Sequence, residues 1–108
     1  MNEKIIVVSD IDFKDVVLNS AKPVLVDFYA DWCAPCRMQA PILEELSVEL
    51  GDKITVAKVN VDKSEKLAIS YGINSIPALY IFKAGQVVEK VVGLTSKQEL
   101  SSMLIKHL

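Results

Sequence analysis

The chain has 108 residues, of which 51% are hydrophobic and 24% are charged, and its formal net charge is -2. That length predicts a single domain over residues 1–108, large enough to bury a core without structural metals or disulfides. The near-balanced charge gives no reason to expect a nucleic acid or a membrane as a partner, and no apolar run is long enough to span a bilayer. The apolar run at residues 5–8 is too short for a signal peptide, so we expect a cytoplasmic protein.

Five short segments rich in Val, Ile, Phe and Tyr have the composition of β-strands. They cover residues 5–8, 24–30, 54–61, 78–82 and 87–92. Four segments between and after them carry apolar residues at helical spacing, around residues 13–17, 43–50, 67–71 and 100–108. The order β-α-β-α-β-α-β-β-α predicts an α/β fold, in which a central mixed β-sheet of five strands is flanked by four helices on its two faces.

The connections between these segments carry further signals. Strands joined through a helix are expected to run parallel, because the chain must cross back before the next strand. Ala84-Gly85 predicts a tight turn, so the last two strands should form an antiparallel hairpin. Asp62 and Thr95 stand before the last two helices with the spacing of capping boxes, which predicts that they are the N-caps.

The two cysteines, Cys33 and Cys36, lie between a buried strand and a helix. A helix N-terminus stabilises a thiolate, which is the reactive form in disulfide exchange, and Pro35 suits the first turn. A zinc site would need about four ligands, and the chain adds only His107. A structural disulfide across so small a loop would stabilise little, and the flanking Trp32 and Pro35 argue against two inert buried thiols. We therefore favour a redox pair and expect no metal.

Asp27 interrupts the apolar run at residues 24–30. Burial raises the pKa of a carboxyl group, and a perturbed acid beside reactive groups is a functional candidate. The alternative is a structural ion pair with Lys58, which lies on the next predicted strand. The residues alone do not decide between these two interpretations.

Several segments combine into one specific pattern. They are Trp32-Cys33-Ala34-Pro35-Cys36, Val-Asp-Phe-Tyr-Ala at residues 26–30, Pro41, Val-Ala-Lys-Val-Asn-Val-Asp at 56–62, Ile-Pro-Ala-Leu at 76–79, Phe-Lys-Ala-Gly at 82–85, and Gly93. With this strand order, the whole chain resembles the thioredoxin family. The resemblance implies the thioredoxin fold and a protein disulfide reductase that acts as an electron carrier in cell redox homeostasis. The resemblance further implies that such a reductase needs no bound cofactor, because the Cys33–Cys36 disulfide and dithiol carry the two electrons.

The resemblance also implies roles for individual residues. Cys33 would attack the substrate disulfide and Cys36 would resolve the mixed disulfide, while Asp27 would help to deprotonate Cys36 and Lys58 would lie near that acid. Pro77 would be a cis-proline facing the cysteines. The implied substrate-binding residues are Trp32, Ala34, Pro35, Ile76, Pro77 and Gly93. The implied partners are disulfide-containing proteins and a thioredoxin reductase, and we expect a monomer.

Ala34 departs from the family pattern, which usually has glycine between the first cysteine and the proline. We expect Ala34 to tune the redox potential and the choice of partner without abolishing the chemistry. Two other functions stay open. The chain could be a non-catalytic binding or scaffold subunit that uses the same apolar surface, or a net oxidant or isomerase. The motif argues weakly against an oxidant, because it has no histidine between the cysteines.

Overall fold

The computed structural model describes residues 5–108, so the first four residues of the predicted domain lie outside it. Its strands are β1 (Ile5–Val8), β2 (Val24–Tyr29), β3 (Thr55–Asn60), β4 (Ala78–Lys83) and β5 (Gln86–Val92). A π-helical turn (Lys14–Leu18) precedes three α-helices, α1 (Ala34–Leu50), α2 (Glu65–Ser70) and α3 (Lys97–Ile105), and a 3-10 turn (Gly51–Lys53) follows α1. The predicted α/β class and element order are confirmed.

The five strands form one sheet in the order β1-β3-β2-β4-β5. Both β1 and β2 pair with β3 in parallel, as expected. The expectation of a parallel strand is wrong for β4, which runs antiparallel to β2. The helix before it, α2, has six residues and is about 9 Å long, less than half the length of a strand of about 20 Å. Because β4 is antiparallel to β2, the start of β4 lies beside the end of β2.

Helices cover both faces of the sheet, as the sequence predicts. On one face Phe28 and Phe82 pack under the π-helical turn and α2, in a cluster of aromatic and β-branched side chains. On the other face Leu25 packs against Leu43 of α1 and Leu100 of α3. No helix within residues 5–108 is long and apolar enough to cross a membrane.

The hairpin between β4 and β5 is confirmed, and both turn residues have positive φ angles. The φ angle is 52° at Ala84 and 78° at Gly85. These are the values that a two-residue type I′ turn requires, because its twist matches that of the flanking strands. Glycine adopts this conformation readily, whereas alanine does so at a cost in free energy.

Both predicted N-caps are wrong, Asp62 by two residues and Thr95 by one. The residue before α2 is Ser64, not Asp62. The hydroxyl of Ser96, not that of Thr95, accepts the Glu99 amide N–H at 3.2 Å. The spacing of Ser96 and Glu99 also fits a capping box, so the signal was present one residue further along the chain.

Candidate active site

The cysteine pair lies between the end of β2 and the first turn of α1. Cys33 is the N-cap of α1, and its Sγ accepts the Cys36 amide N–H at 3.2 Å. The two sulfurs form a disulfide, with Cα atoms 5.2 Å apart, and Pro35 is in the first turn of the helix. Negative charge on the Cys33 sulfur after reduction would be stabilised by the amide N–H groups and the dipole of α1.

The disulfide lies just below the surface. Cys33 and Cys36 are 5% and 3% exposed and pack with Ala30. By contrast, Trp32 is 68% exposed, and the Ala34 and Pro35 side chains are also exposed. The residues that flank and separate the two cysteines are therefore exposed, whereas the cysteines themselves are buried.

The segment before β4 faces the cysteines. Cys33 Sγ lies 3.8 Å from the carbonyl oxygen of Ile76. The Ile76-Pro77 peptide bond is cis, and Pro77 is buried while Ile76 is half-buried. This contact follows from the antiparallel direction of β4, because a parallel β4 would begin beside the start of β2, at the other end of the strand.

Gly93 follows β5 and lies beside the same segment. Its amide N–H donates to the carbonyl oxygen of Pro77 at 2.7 Å. Its φ angle is 94°, and a Cβ at this position would meet no atom within 4 Å. The backbone conformation, rather than the available space, therefore favours glycine here.

Asp27 lies in β2 and is completely buried. Neither carboxylate oxygen has a hydrogen-bond partner among residues 5–108. Burial raises the pKa of Asp27 from its usual 3.8 to about 7, and the positive charge of Lys58 opposes this rise. The group is therefore poised to gain or lose a proton near neutral pH.

Lys58 is the neighbour of Asp27 across the β2–β3 pairing. Its Nζ lies 4.3 Å from the centre of the Tyr29 ring, a cation–π arrangement. The Asp27 oxygens remain without a hydrogen bond, so this structure does not have the close Asp27–Lys58 ion pair that the sequence left open. Lys58 acts on Asp27 through its charge at longer range.

The structure does not bring His107 to the cysteines. Its Nε2 lies 2.8 Å from Glu89 Oε2. Within the described part of the chain, no three His, Cys, Asp or Glu side chains are grouped so that they could hold a metal ion.

Two contacts near the site join residues far apart in sequence. The indole Nε1 of Trp32 donates to Asp62 Oδ2 at 2.9 Å, across 30 residues. Gln39 bonds to the backbone of Thr95, 56 residues away. Sequence reasoning missed both, although Gln39 precedes Leu43 by one helical turn and so continues the core face of α1.

Comparison with known proteins agrees with this geometry. The family model named Thioredoxin matches residues 4–106. The chain belongs to the thioredoxin family. Thioredoxin 1 of Nostoc sp. is 54% identical over 101 residues, and thioredoxin 1 of Synechococcus elongatus is 52% identical, each over 94% of both chains. The thioredoxin of Acidithiobacillus ferridurans is 47% identical over 108 residues, which is the full length of both chains.

Membership of the thioredoxin family gives the chain its activity. It is a thiol–disulfide oxidoreductase that reduces protein disulfides, and its structure contains the Cys33–Cys36 disulfide. The sequence-based prediction of this family and of disulfide reductase activity is confirmed.

Proposed function

We propose that Cys33 is the attacking thiolate in the reduction of protein disulfides and that Cys36 is the resolving thiol. The position of Cys33 as the N-cap of α1, with its Sγ accepting the Cys36 amide N–H, carries this proposal. A thiolate there is favoured by the helix N-terminus, so the pKa of Cys33 in the dithiol should be below the ordinary thiol value.

The reaction is two successive exchanges. The Cys33 thiolate attacks one sulfur of the substrate disulfide, so a mixed disulfide forms and the other substrate sulfur leaves as a thiolate that takes up a proton. Cys36 then loses its proton and attacks Cys33 Sγ. The Cys33–Cys36 disulfide forms and the second substrate sulfur leaves. Two electrons pass from the protein dithiol to the substrate, and no bound cofactor is needed.

Asp27 is proposed to accept the proton of Cys36, through a bridging water. Its buried carboxyl group has a pKa of about 7, and its two oxygens are free of hydrogen bonds within residues 5–108. A base with a pKa near the working pH is the most effective acceptor. Lys58 is proposed as a positioning residue whose positive charge limits the rise in the Asp27 pKa.

The substrate is proposed to lie over the cysteines and over the two backbone segments beside them. The docking surface on the protein consists of Trp32, Ala34, Pro35, Ile76, Pro77 and Gly93. An extended substrate chain would pair with the backbone of Ile76, which places its disulfide next to Cys33 Sγ, 3.8 Å from the Ile76 carbonyl oxygen.

The partners are proposed to be disulfide-containing proteins and a thioredoxin reductase that returns the Cys33–Cys36 disulfide to the dithiol. Regeneration requires such a donor, because each turnover leaves the pair oxidised. We propose a monomer that acts in the cytoplasm, since a dithiol reductant works where the surrounding thiol pool is reducing.

Trapping of the mixed disulfide tests the cysteine roles. The Cys36→Ser variant, incubated with a disulfide-bonded protein such as insulin, should accumulate an adduct joined through Cys33, detectable by non-reducing electrophoresis and mass spectrometry. Cys33→Ser is the matched control and should form no such adduct. Binding without any adduct would instead indicate the scaffold function, and a redox titration of the wild type separates a reductant from a net oxidant.

The Asp27 role has its own test. In Asp27→Asn, with both cysteines present, the mixed disulfide should persist longer at pH 7 than in the wild type. Its rate of release should also lose the part of its pH dependence that is centred near 7 in the wild type. An unchanged release rate and pH profile would remove Asp27 from the mechanism.

A further inference from the structure

Two polar side chains, Gln39 and Ser47, interrupt the buried face of α1. Gln39 is completely buried, and the neighbours on that face are Cys36, Leu43 and Leu46. Both ends of its amide are paired with a single residue. Gln39 Nε2 donates to the Thr95 carbonyl oxygen at 3.0 Å, and the Thr95 amide N–H donates to Gln39 Oε1 at 2.8 Å.

These two bonds continue toward the docking surface. The Thr95 hydroxyl donates to the carbonyl oxygen of Gly93 at 2.9 Å. The Gly93 amide N–H donates in turn to the carbonyl oxygen of Pro77 at 2.7 Å. A continuous set of hydrogen bonds therefore joins the helix that carries both cysteines to the two backbone segments beside Cys33.

Packing alone does not explain a glutamine at this position. An apolar side chain of similar size would fill the space and would have no polar atoms to pair, whereas a buried amide must find partners for both of its ends. Here both partners are backbone groups of Thr95. What the glutamine adds over an apolar residue is a fixed position for residues 93–95 relative to α1.

We propose that Gln39 is a positioning residue for substrate docking. It holds residues 93–95 at the place where, together with Ile76, they receive an extended peptide segment that carries a disulfide. A small disulfide without such a segment needs only access to Cys33, so its reaction does not depend on Gln39. This inference rests on the docking surface proposed above.

Gln39→Met removes both hydrogen bonds at nearly constant volume. The test follows the single tryptophan, Trp32, by fluorescence as the pre-reduced protein reacts with increasing concentrations of insulin or of a small aromatic disulfide. The half-saturating concentration of insulin should rise about five- to tenfold, as expected for the loss of one or two net hydrogen bonds. The limiting rate with insulin and the rate with the small disulfide should each stay within about twofold of the wild-type values. The redox potential should stay within a few millivolts.

Two further variants make the test decisive. Gln98→Met makes the same chemical change at an exposed position of α3 and should leave both reactions unchanged. Thr95→Val removes only the hydroxyl bond to Gly93 and should raise the half-saturating concentration for insulin in the same direction, by a smaller factor. Thr95→Val decides the matter if Gln39→Met does not fold.

The inference is overturned if insulin and the small disulfide lose rate equally, since Gln39 would then act on the cysteines rather than on docking. It is also overturned if insulin saturation is unchanged while hydrogen exchange at the Thr95 amide becomes faster, since the bonds would then be structural only. Failure of the wild type itself to reduce insulin would refute the proposed function instead, so the two failures are distinguishable.

Discussion

Replacement of Asp27 by asparagine should stabilise the oxidised protein by an amount that depends on pH. In the folded protein the pKa of Asp27 is raised to about 7 by burial, whereas in the unfolded chain it returns to its usual 3.8. Well below pH 3.8 the carboxyl group is protonated in both states, so its ionisation costs no stability there. As the pH rises from there to about 7, the unfolded state ionises first, so the wild type loses stability.

The magnitude follows from the two pKa values. A difference between 3.8 and about 7 corresponds to about 4 kcal/mol of stability lost by the wild type above neutral pH. Asparagine does not titrate, so its advantage over the wild type should grow by about that amount between pH 4 and pH 8. The neutral carboxyl group of the wild type has no hydrogen-bond partner within residues 5–108 either, so the cost of about 1–3 kcal/mol for an unpaired buried polar group is shared by both proteins and nearly cancels. A net gain of about 4 kcal/mol is therefore expected at pH 8.

Urea unfolding of the oxidised wild type and of Asp27→Asn at pH 4, 6 and 8 measures this directly, because both proteins share every other titrating group. Asp52→Asn, which removes an exposed carboxylate, is the control and should show no such trend. A difference between Asp27→Asn and the wild type that stays constant across this range would refute the reasoning, as would a variant less stable than the wild type at pH 8.

Three further changes have defined outcomes. Ala84→Asn relieves the φ of 52° in the hairpin turn, so thermal unfolding should show a stability gain of about 0.5–1 kcal/mol. Lys58→Met removes the charge that lowers the Asp27 pKa, so the titration midpoint of Asp27, followed by NMR, should move upward. Ala34→Gly should keep disulfide reductase activity and move the redox potential by only about 10–20 mV, and a loss of activity or a shift near 100 mV would contradict this.

The strands and the cysteine pair could be predicted because their signals are local. Nearly continuous apolar runs indicate β2 and β4, and the Cys-x-x-Cys spacing between a strand and a helix indicates a redox pair. The direction of β4 could not be predicted in the same way, because strand pairing depends on where the chain returns after α2. That direction places Ile76 beside Cys33.

Asp27 and Gln39 show the same limit at the level of side chains. Both are polar residues on mainly apolar faces, and Asp27 was found because its strand is short and almost wholly apolar. The partner of Gln39 is 56 residues away, so its hydrogen bonds leave no local pattern. A polar residue in phase with the core face of a helix is the available signal, and it predicts a buried partner without identifying which one.

Different elements supply the different requirements of the reaction. In the proposed mechanism the N-terminus of α1 favours a thiolate at Cys33, the central strand β2 buries Asp27, and the segments before β4 and after β5 offer backbone to a substrate. Because these contributions come from separate parts of the fold, substitutions should separate them. A change at Asp27 should alter proton transfer and its pH dependence, whereas a change at Gln39 should alter docking at an unchanged potential.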